Sequence, residues 1–342
     1  MQTIQSSQVL SLKPPKAHAW LQALLIGFLF YIISTGVLFL TENPNLFPTV
    51  VMIGSFLVPV AYVTFFYERR HLSNITISTT FISFVYGGVL GVLAASLLEP
   101  IFVRSTNTTS VLSIGLIEEF TKILGVLIIA RRFRHDMEMD GLILGAAAGM
   151  GFAALESMGY AFTAFLSSGG SVSQTVLVTL IRGILSPIGH GTWTAIFASV
   201  LFREAKGSHF RINYKVVVAY AIVSVLHALW DGLPTIITDY FGSGLDVFLG
   251  QAFIGAAGLF ILWLRYREAN RLQQASALAP VMITPPTAPE IGVENLPTDE
   301  VNIAPMIENV TLPGGNIASQ GEYIAPIGEN TPPEGENIAP TA

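Results

Sequence analysis

The chain has 342 residues, of which 51% are hydrophobic and 12% are charged, and its formal net charge is −6. Because soluble proteins carry about 25% charged residues, this composition excludes a soluble domain. The absence of cysteine excludes disulfide frameworks and thiolate metal sites. The acidity lies in the C-terminal part, where no Lys or Arg follows Arg271. The basic residues form no patch apart from the membrane boundaries, so we expect no nucleic-acid partner.

Eight apolar stretches are each about 20 residues long, the length that a helix needs to cross the hydrocarbon core. Backbone polar groups in lipid must be satisfied within the segment, so stretches of this length are predicted to be helices. We therefore expect an all-α integral membrane protein with about eight transmembrane helices. The predicted spans cover residues 20–40, 48–67, 79–98, 111–130, 141–166, 176–202, 215–238 and 246–265.

The basic residues outside the spans lie almost entirely on one side of the predicted membrane. They precede span 1 and follow spans 2, 4, 6 and 8, whereas the intervening loops hold only Arg104. Because positively charged loops are retained in the cytoplasm, both termini are predicted to be cytoplasmic.

Three parts are expected along the chain: a cytoplasmic segment at 1–19, a membrane domain at 20–268 and a tail at 269–342. The tail is acidic and of low complexity, with degenerate repeats such as Val301-Asn302-Ile303-Ala304-Pro305. Its few apolar groups do not offset the entropy of ordering, so the tail is predicted to be disordered.

Ionisable residues occur inside four of the predicted spans, where each costs several kcal/mol and by default marks a functional site. The candidates are Glu118, Glu119 and Lys122 in span 4, Glu156 in span 5, His190 in span 6, and His227 and Asp231 in span 7. Lys122 can reach back to either glutamate, and His227 shares a helical face with Asp231, because residues three or four apart are neighbours on a helix. A rise of 1.5 Å per residue places these groups roughly 10 to 20 Å below the predicted outer edge.

The layer contains four carboxylates and two permanent cations, Lys122 and Arg182. We expect that one or two carboxylates bind protons or that a bound cation balances them. A carboxylate beside an imidazole can act as a general base, and a metal held by His and carboxylate can act as a Lewis acid. Both possibilities suit catalysis, and the sequence leaves the choice open.

Several of these features also have structural interpretations. Lys122 can be a structural counter-ion, Arg182 is expected to be an ion-pair partner or a snorkelling residue, and His190 can form an interhelical hydrogen bond. The small residues Gly145-Ala146-Ala147-Ala148-Gly149 favour close helix packing over substrate contact. Pro187 is predicted to bend span 6.

Three spaced motifs occur in order on separate spans: E-E-x-x-K (Glu118, Glu119, Lys122), F-x-x-x-E (Phe152, Glu156) and H-x-x-x-D (His227, Asp231). With His190 and Arg182 they resemble the PrsW family of intramembrane proteases, which is similar to the prenyl-protein CAAX endopeptidases. The resemblance covers roughly residues 20–265. It implies cleavage of a membrane-anchored protein near the outer face of a bacterial cytoplasmic membrane, typically an anti-sigma factor. The motifs do not distinguish a metalloprotease from a glutamate protease.

On this basis we predict Glu118 as the general base, assisted by Glu119 or His190. His227 and Asp231 would orient the water or stabilise the oxyanion, and Glu156 and Lys122 would tune the charge. If a metal is bound, we expect zinc, with the possible ligands His190, His227, Asp231 and Glu156.

The alternative is a proton- or ion-coupled transporter that uses the same buried carboxylates and histidines. Transporters usually contain internal repeats with paired broken helices, and no such repeat is found between the two halves of the sequence. A transporter would also need polar groups that continue to both faces of the membrane, whereas the inner half of each predicted span is apolar.

Overall fold

The structure is a computed structural model that describes residues 18–70, 73, 75–103, 108–131, 137–207, 209–241 and 245–278. Within these ranges the chain is helical, apart from turns, short connections and one isolated bridge between Lys206 and His209. Most of the predicted cytoplasmic segment (1–17) and the tail beyond 278 lie outside the described residues, as does Arg104.

The described residues form nine α-helices, labelled in chain order. They are α1 (Ala19–Thr41), α2 (Phe47–Tyr67), α3 (Ile77–Phe102), α4 (Thr108–Ala130), α5 (Glu138–Ser167), α6 (Val172–Leu185), α7 (His190–Arg203), α8 (Tyr214–Phe241) and α9 (Leu245–Leu278). Helix α9 extends beyond residue 268, the predicted end of the membrane domain.

Seven helical segments in the described part of the chain are long and apolar enough to cross a membrane. The predicted span that is missing from this set is α4, which has 23 residues but carries Glu118, Glu119 and Lys122 in its middle. The prediction of an all-α membrane protein is therefore confirmed, and the crossing by α4 stays a prediction.

Large apolar side chains cover the outside of the helix bundle. Leu25 on α1, Leu93 on α3 and Phe253 on α9 are each more than half exposed. Such side chains would be unfavourable in water over so large a surface, and a lipid environment accounts for them.

Helix α5 is the centre of the bundle. In the most apolar 18-residue stretch of α5, 83% of the residues are buried, compared with 11% in that of α1. It packs most extensively against α7 and α3, and also against α2 and α6. Residues on α5 are therefore held by neighbours on several sides.

Close packing of α5 against α7 depends on glycines one helical turn apart. A Cβ atom at Gly145 would overlap the carbonyl oxygen of Thr194, and one at Gly149 would overlap that of His190. Small residues at this spacing let two helix backbones approach closely. The packing interpretation of these residues is supported, and the contact places His190 beside α5.

The predicted span 176–202 is interrupted at residues 186–189, which separate α6 from α7. Pro187 lies in this turn, and proline has no N–H and clashes with the preceding helical turn. Its carbonyl oxygen accepts a hydrogen bond of 2.6 Å from Thr192 Oγ1. The bend predicted at Pro187 is thus a complete break, after which His190 begins α7.

Candidate active site

The three charged residues of α4 form one ion-paired group. Lys122 Nζ lies 3.0 Å from Glu118 Oε2 and 2.8 Å from Glu119 Oε1. The prediction that Lys122 reaches back along its helix is confirmed, and the side chain contacts both glutamates. Lys122 and Glu119 are fully buried, whereas Glu118 retains 8% exposure of its side chain.

His190 joins this group from the first turn of α7. Its Nδ1 lies 2.8 Å from Lys122 Nζ, and its Nε2 lies 3.0 Å from Glu156 Oε2 on α5. The two ring nitrogens therefore face different partners. His190 makes an interhelical hydrogen bond, as its structural interpretation predicted, and it lies in the same cluster as the other candidates.

His227 on α8 is fully buried beneath the ring of Trp193, whose centroid lies 4.7 Å from that of the imidazole. Its Nδ1 lies 3.0 Å from Glu119 Oε1. Its Nε2 lies 3.6 Å from Glu118 Oε2 and 3.2 Å from Asp231 Oδ2, but has no hydrogen-bond partner of good geometry. One buried nitrogen of this ring is therefore left facing the two carboxylates.

Glu156 pairs with two cationic or potentially cationic groups. It accepts a hydrogen bond from Arg182 Nη2 on α6 and contacts His190. Arg182 Nε also donates to Ser157 Oγ at 3.2 Å. The ion pair confirms the expectation for Arg182.

A cavity of about 490 Å³ opens beside this cluster. Glu118, Glu156, His190 and Asp231 line it, whereas Lys122, Glu119 and His227 lie behind its wall. All seven candidate residues thus form one connected group, and four of them line this cavity.

Glu99 on α3 also lines the cavity and was not predicted as a site residue. It lies one residue beyond the predicted end of its span and directly before Pro100, whereas α3 continues to Phe102. A charged residue at the edge of an apolar stretch is the only signal that could have found it. No Lys or Arg of the described ranges lies within ion-pair distance of Glu99.

Two further contacts support the buried part of the cluster and were not predicted. Thr194 Oγ1 donates a 3.2 Å hydrogen bond to Glu119 Oε2. The Phe152 ring lies under the Lys122 ammonium, with its centroid 4.2 Å from Nζ. Side chains of α7 and α5 thus hold the Glu119 and Lys122 side chains of α4 in place.

A second charged cluster lies at the opposite end of α5. Glu138 contacts Arg265 of α9 and lies 3.9 Å from Arg203 of α7. From Gly141 to Leu155, α5 contributes only apolar and glycine residues between the two clusters. The central helix therefore provides no polar path between them of the kind that the transporter alternative requires.

Three members of the cluster fit a metal ion. Glu118, His190 and His227 are buried, and each offers one ligand atom within 4.8 Å of the others. Carboxylate oxygen and imidazole nitrogen suit zinc and related transition metals. The unpartnered Nε2 of His227 is the observation that favours a ligand at this position.

The other ring nitrogen of each histidine contacts a carboxylate: Glu156 for His190 and Glu119 for His227. Carboxylates in this position fix the tautomer and orientation of metal-binding histidines. Glu156 and Asp231, which were predicted as possible ligands, lie outside the three-residue group, and each contacts one of its histidines.

These features define a class, a helical integral membrane protein whose bundle encloses a buried Glu/His site next to a cavity. A family model described as PrsW family intramembrane metalloprotease matches residues 75–266, and the chain belongs to this family. The matched region contains all seven candidate residues. No curated protein and no solved structure matches the chain. The resemblance found in the motifs is thereby confirmed, and it implies a membrane-protein substrate within a bilayer.

Proposed function

We propose that the protein is an endopeptidase that hydrolyses a peptide bond in a membrane-tethered protein of the anti-sigma-factor type, in a bacterial cytoplasmic membrane. The observation that carries this proposal is the position of Glu118. Its carboxylate lines the cavity, and Oε2 lies 3.9 Å from His190 Nδ1 and 3.6 Å from His227 Nε2. A carboxylate between two imidazoles is suited to activating water.

In the simplest mechanism, Glu118 takes a proton from a water molecule in the cavity. The water oxygen then bonds to the carbonyl carbon of the scissile peptide, and the C–N bond breaks as the proton passes from Glu118 to the leaving amine. The Lys122 ammonium, 3.0 Å from Glu118, balances the carboxylate charge at the start of this cycle.

His227 stabilises the negative charge that develops on the carbonyl oxygen, since its Nε2 lies 3.6 Å from Glu118 Oε2 and has no hydrogen-bond partner among the described residues. His190 is not available for this role, because its Nδ1 accepts from the Lys122 ammonium. Glu119 and the Trp193 ring fix the orientation of His227, and Glu156 fixes that of His190. An imidazole N–H in such a preorganised position can donate to an oxyanion in a site that excludes most water. Asp231 Oδ2 lies 3.2 Å from His227 Nε2, on the same face of α8.

The metal-dependent form of the mechanism uses the same residues. Glu118, His190 and His227 would hold the ion, and Glu119 and Glu156 would orient the two histidines. When bound, the ion would supply Lewis-acid polarisation of the carbonyl and activation of water. Asp231 lines the cavity beside this group and would be placed to accept a proton from a water molecule.

The test compares cells that express wild type, Glu118→Gln and the surface control Glu42→Gln. Peptides of single-span membrane proteins are searched for new N-termini near the predicted outer boundary. We expect such termini with wild type and Glu42→Gln, and none with Glu118→Gln, which should accumulate as folded protein. New termini with Glu118→Gln would reject the role of this residue.

Metal content then separates the two mechanisms. Detergent-purified wild type, Glu118→Gln and His227→Ala are compared by elemental analysis. Stoichiometric zinc in wild type that is lost in both variants would support the metal-dependent form. Cleavage by a wild-type protein whose activity survives exhaustive chelation would support the glutamate–histidine form.

A further inference from the structure

The Lys122 ammonium contacts two of the three residues that fit a metal. Nζ lies 3.0 Å from Glu118 Oε2 and 2.8 Å from His190 Nδ1, and these two atoms lie 3.9 Å apart. Zinc binds carboxylate oxygen and imidazole nitrogen at about 2.0–2.2 Å. An ion bonded to both atoms would therefore lie within about 3 Å of the Nζ position, too close for two cations to coexist.

We propose that the Lys122 ammonium and a divalent metal ion bind the same donor atoms in turn, so that an ion enters only when Lys122 leaves Glu118 and His190. Lys122 is thus a positioning residue that keeps the donors together while no ion is bound. This inference rests on the metal fit of the proposed site and does not depend on peptide cleavage.

The structure provides other partners for the displaced ammonium. Glu119 Oε1 lies 2.8 Å from Nζ, and the Phe152 ring centroid lies 4.2 Å from it. Neither group belongs to the three residues that fit the metal. A small rotation of the lysine towards them would keep its charge paired, which a buried ammonium requires.

Competition of this kind lowers the apparent metal affinity. A site that is open for only a fraction of the time binds its ligand with an apparent Kd raised by the inverse of that fraction. Removing the ammonium should therefore strengthen metal binding, whereas removal of an ordinary supporting residue weakens it.

The experiment measures zinc affinity of chelator-stripped, detergent-purified protein by competition with a chromophoric chelator. Lys122→Met is compared with wild type and with Lys215→Met, which makes the same substitution outside the site. Lys215 pairs with Glu204 and contacts none of the three donor residues. We expect zinc to bind Lys122→Met at least about tenfold more tightly than wild type, with little change for Lys215→Met.

A charge-compensated variant, Glu119→Gln with Lys122→Met, accompanies the single substitution, because Lys122→Met leaves two buried carboxylates without their cation. It removes one charge of each sign and keeps all three donors. Because Glu119 also orients His227, the double variant is compared with Glu119→Gln alone, relative to which zinc should bind at least about tenfold more tightly. Adding His227→Ala should abolish this tightening. Folding is checked by size-exclusion profile and thermal midpoint.

Zinc binding that is no tighter in folded Lys122→Met than in wild type, and no tighter in the double variant than in Glu119→Gln, would overturn the proposal, whether or not wild type itself binds zinc. Because the measurement involves no peptide cleavage, the two proposals can fail separately. A protein that binds zinc as expected but cleaves nothing would refute the proposed function alone.

Discussion

Glu156 Oε2 lies 3.0 Å from His190 Nε2, on the side of the imidazole opposite the Lys122 ammonium. The carboxylate therefore fixes the orientation of the ring, and Nδ1 is the nitrogen that faces Glu118. Glu156 itself is anchored by Arg182 from α6. Helix α6 thus contributes to the site through a carboxylate on the central helix, although it carries none of the three residues that fit a metal.

Replacing Glu156 by Gln should lower activity without unfolding the protein. The amide keeps the shape of the side chain but loses the charge that orients His190, and loss of such a supporting carboxylate typically costs about 10–100-fold in activity or metal affinity. The measurement is the cleavage rate of a substrate identified through the Glu118→Gln comparison. Ser157→Ala, which removes only a hydrogen bond to Arg182, is the control. Equal rates for both variants would show that His190 needs no such support.

The sequence could predict the cluster because its spacing rules are local. Lys122 reaches Glu118 and Glu119 within one helix, and His227 reaches Asp231 in the same way. The ionisable residues of the four helices were predicted to lie together because each was placed at a similar depth in the membrane. These arguments need only the helical rise and the cost of charge in lipid.

Other parts of the site depend on how helices cross, which single-residue patterns do not encode. Trp193 lies in an apolar helix, and only the contact of α7 with α8 places its ring over His227. Thr194 reaches Glu119 because glycines on α5 allow α7 to pack closely against that helix. The interruption of span 6 was predicted only as a bend, since proline marks a distortion but does not determine where the next helix begins.

Glu119 is expected to stabilise the folded protein and not to contact a substrate in the cavity. It is fully buried and contacts Lys122, His227 and Thr194. Glu119→Ala should lower the free energy of unfolding by about 3–5 kcal/mol, because removing one member of a buried ion pair leaves its partner charge uncompensated. The measurement is chemical unfolding in detergent. Thr194→Val removes one hydrogen bond to the same carboxylate and should cost only about 1–3 kcal/mol. The reverse order would contradict this assignment.

The α5–α7 contact should not tolerate a single added methyl group. A Cβ at Gly145 would overlap the Thr194 carbonyl and the Ala198 side chain, whereas nothing lies within 4 Å of a Cβ at Gly159 on the same helix. Gly145→Ala should therefore lower the thermal midpoint and displace His190, with loss of activity. Gly159→Ala should leave both unchanged or raise the midpoint slightly, since alanine favours the helix by about 1 kcal/mol. Equal midpoints for the two variants would exclude a packing role for Gly145.

The cluster at the other end of α5 should contribute to stability only as an intact pair. The Glu138 side chain is 1% exposed and contacts Arg265, which also donates to Ser199 Oγ at 3.1 Å. Glu138→Gln should destabilise the protein by about 3–5 kcal/mol, because Arg265 then stays buried without its counter-ion. The exposed pair of Arg271 and Glu268 provides the control, and Arg271→Ala should leave the thermal midpoint unchanged.

Removing both charges of the Glu138–Arg265 pair tests why Glu138→Gln is destabilising. The cause is either the loss of attraction between the two charges or the burial of an unpaired arginine. The double variant Glu138→Leu with Arg265→Met replaces two charged side chains by apolar ones of similar length. It should recover most of the stability lost in Glu138→Gln, since buried ion pairs are often replaced by apolar residues without net cost. A double variant as unstable as Glu138→Gln would mean that the charges are needed together. The cost of Glu138→Gln would then reflect their mutual attraction, not the burial of one unpaired arginine.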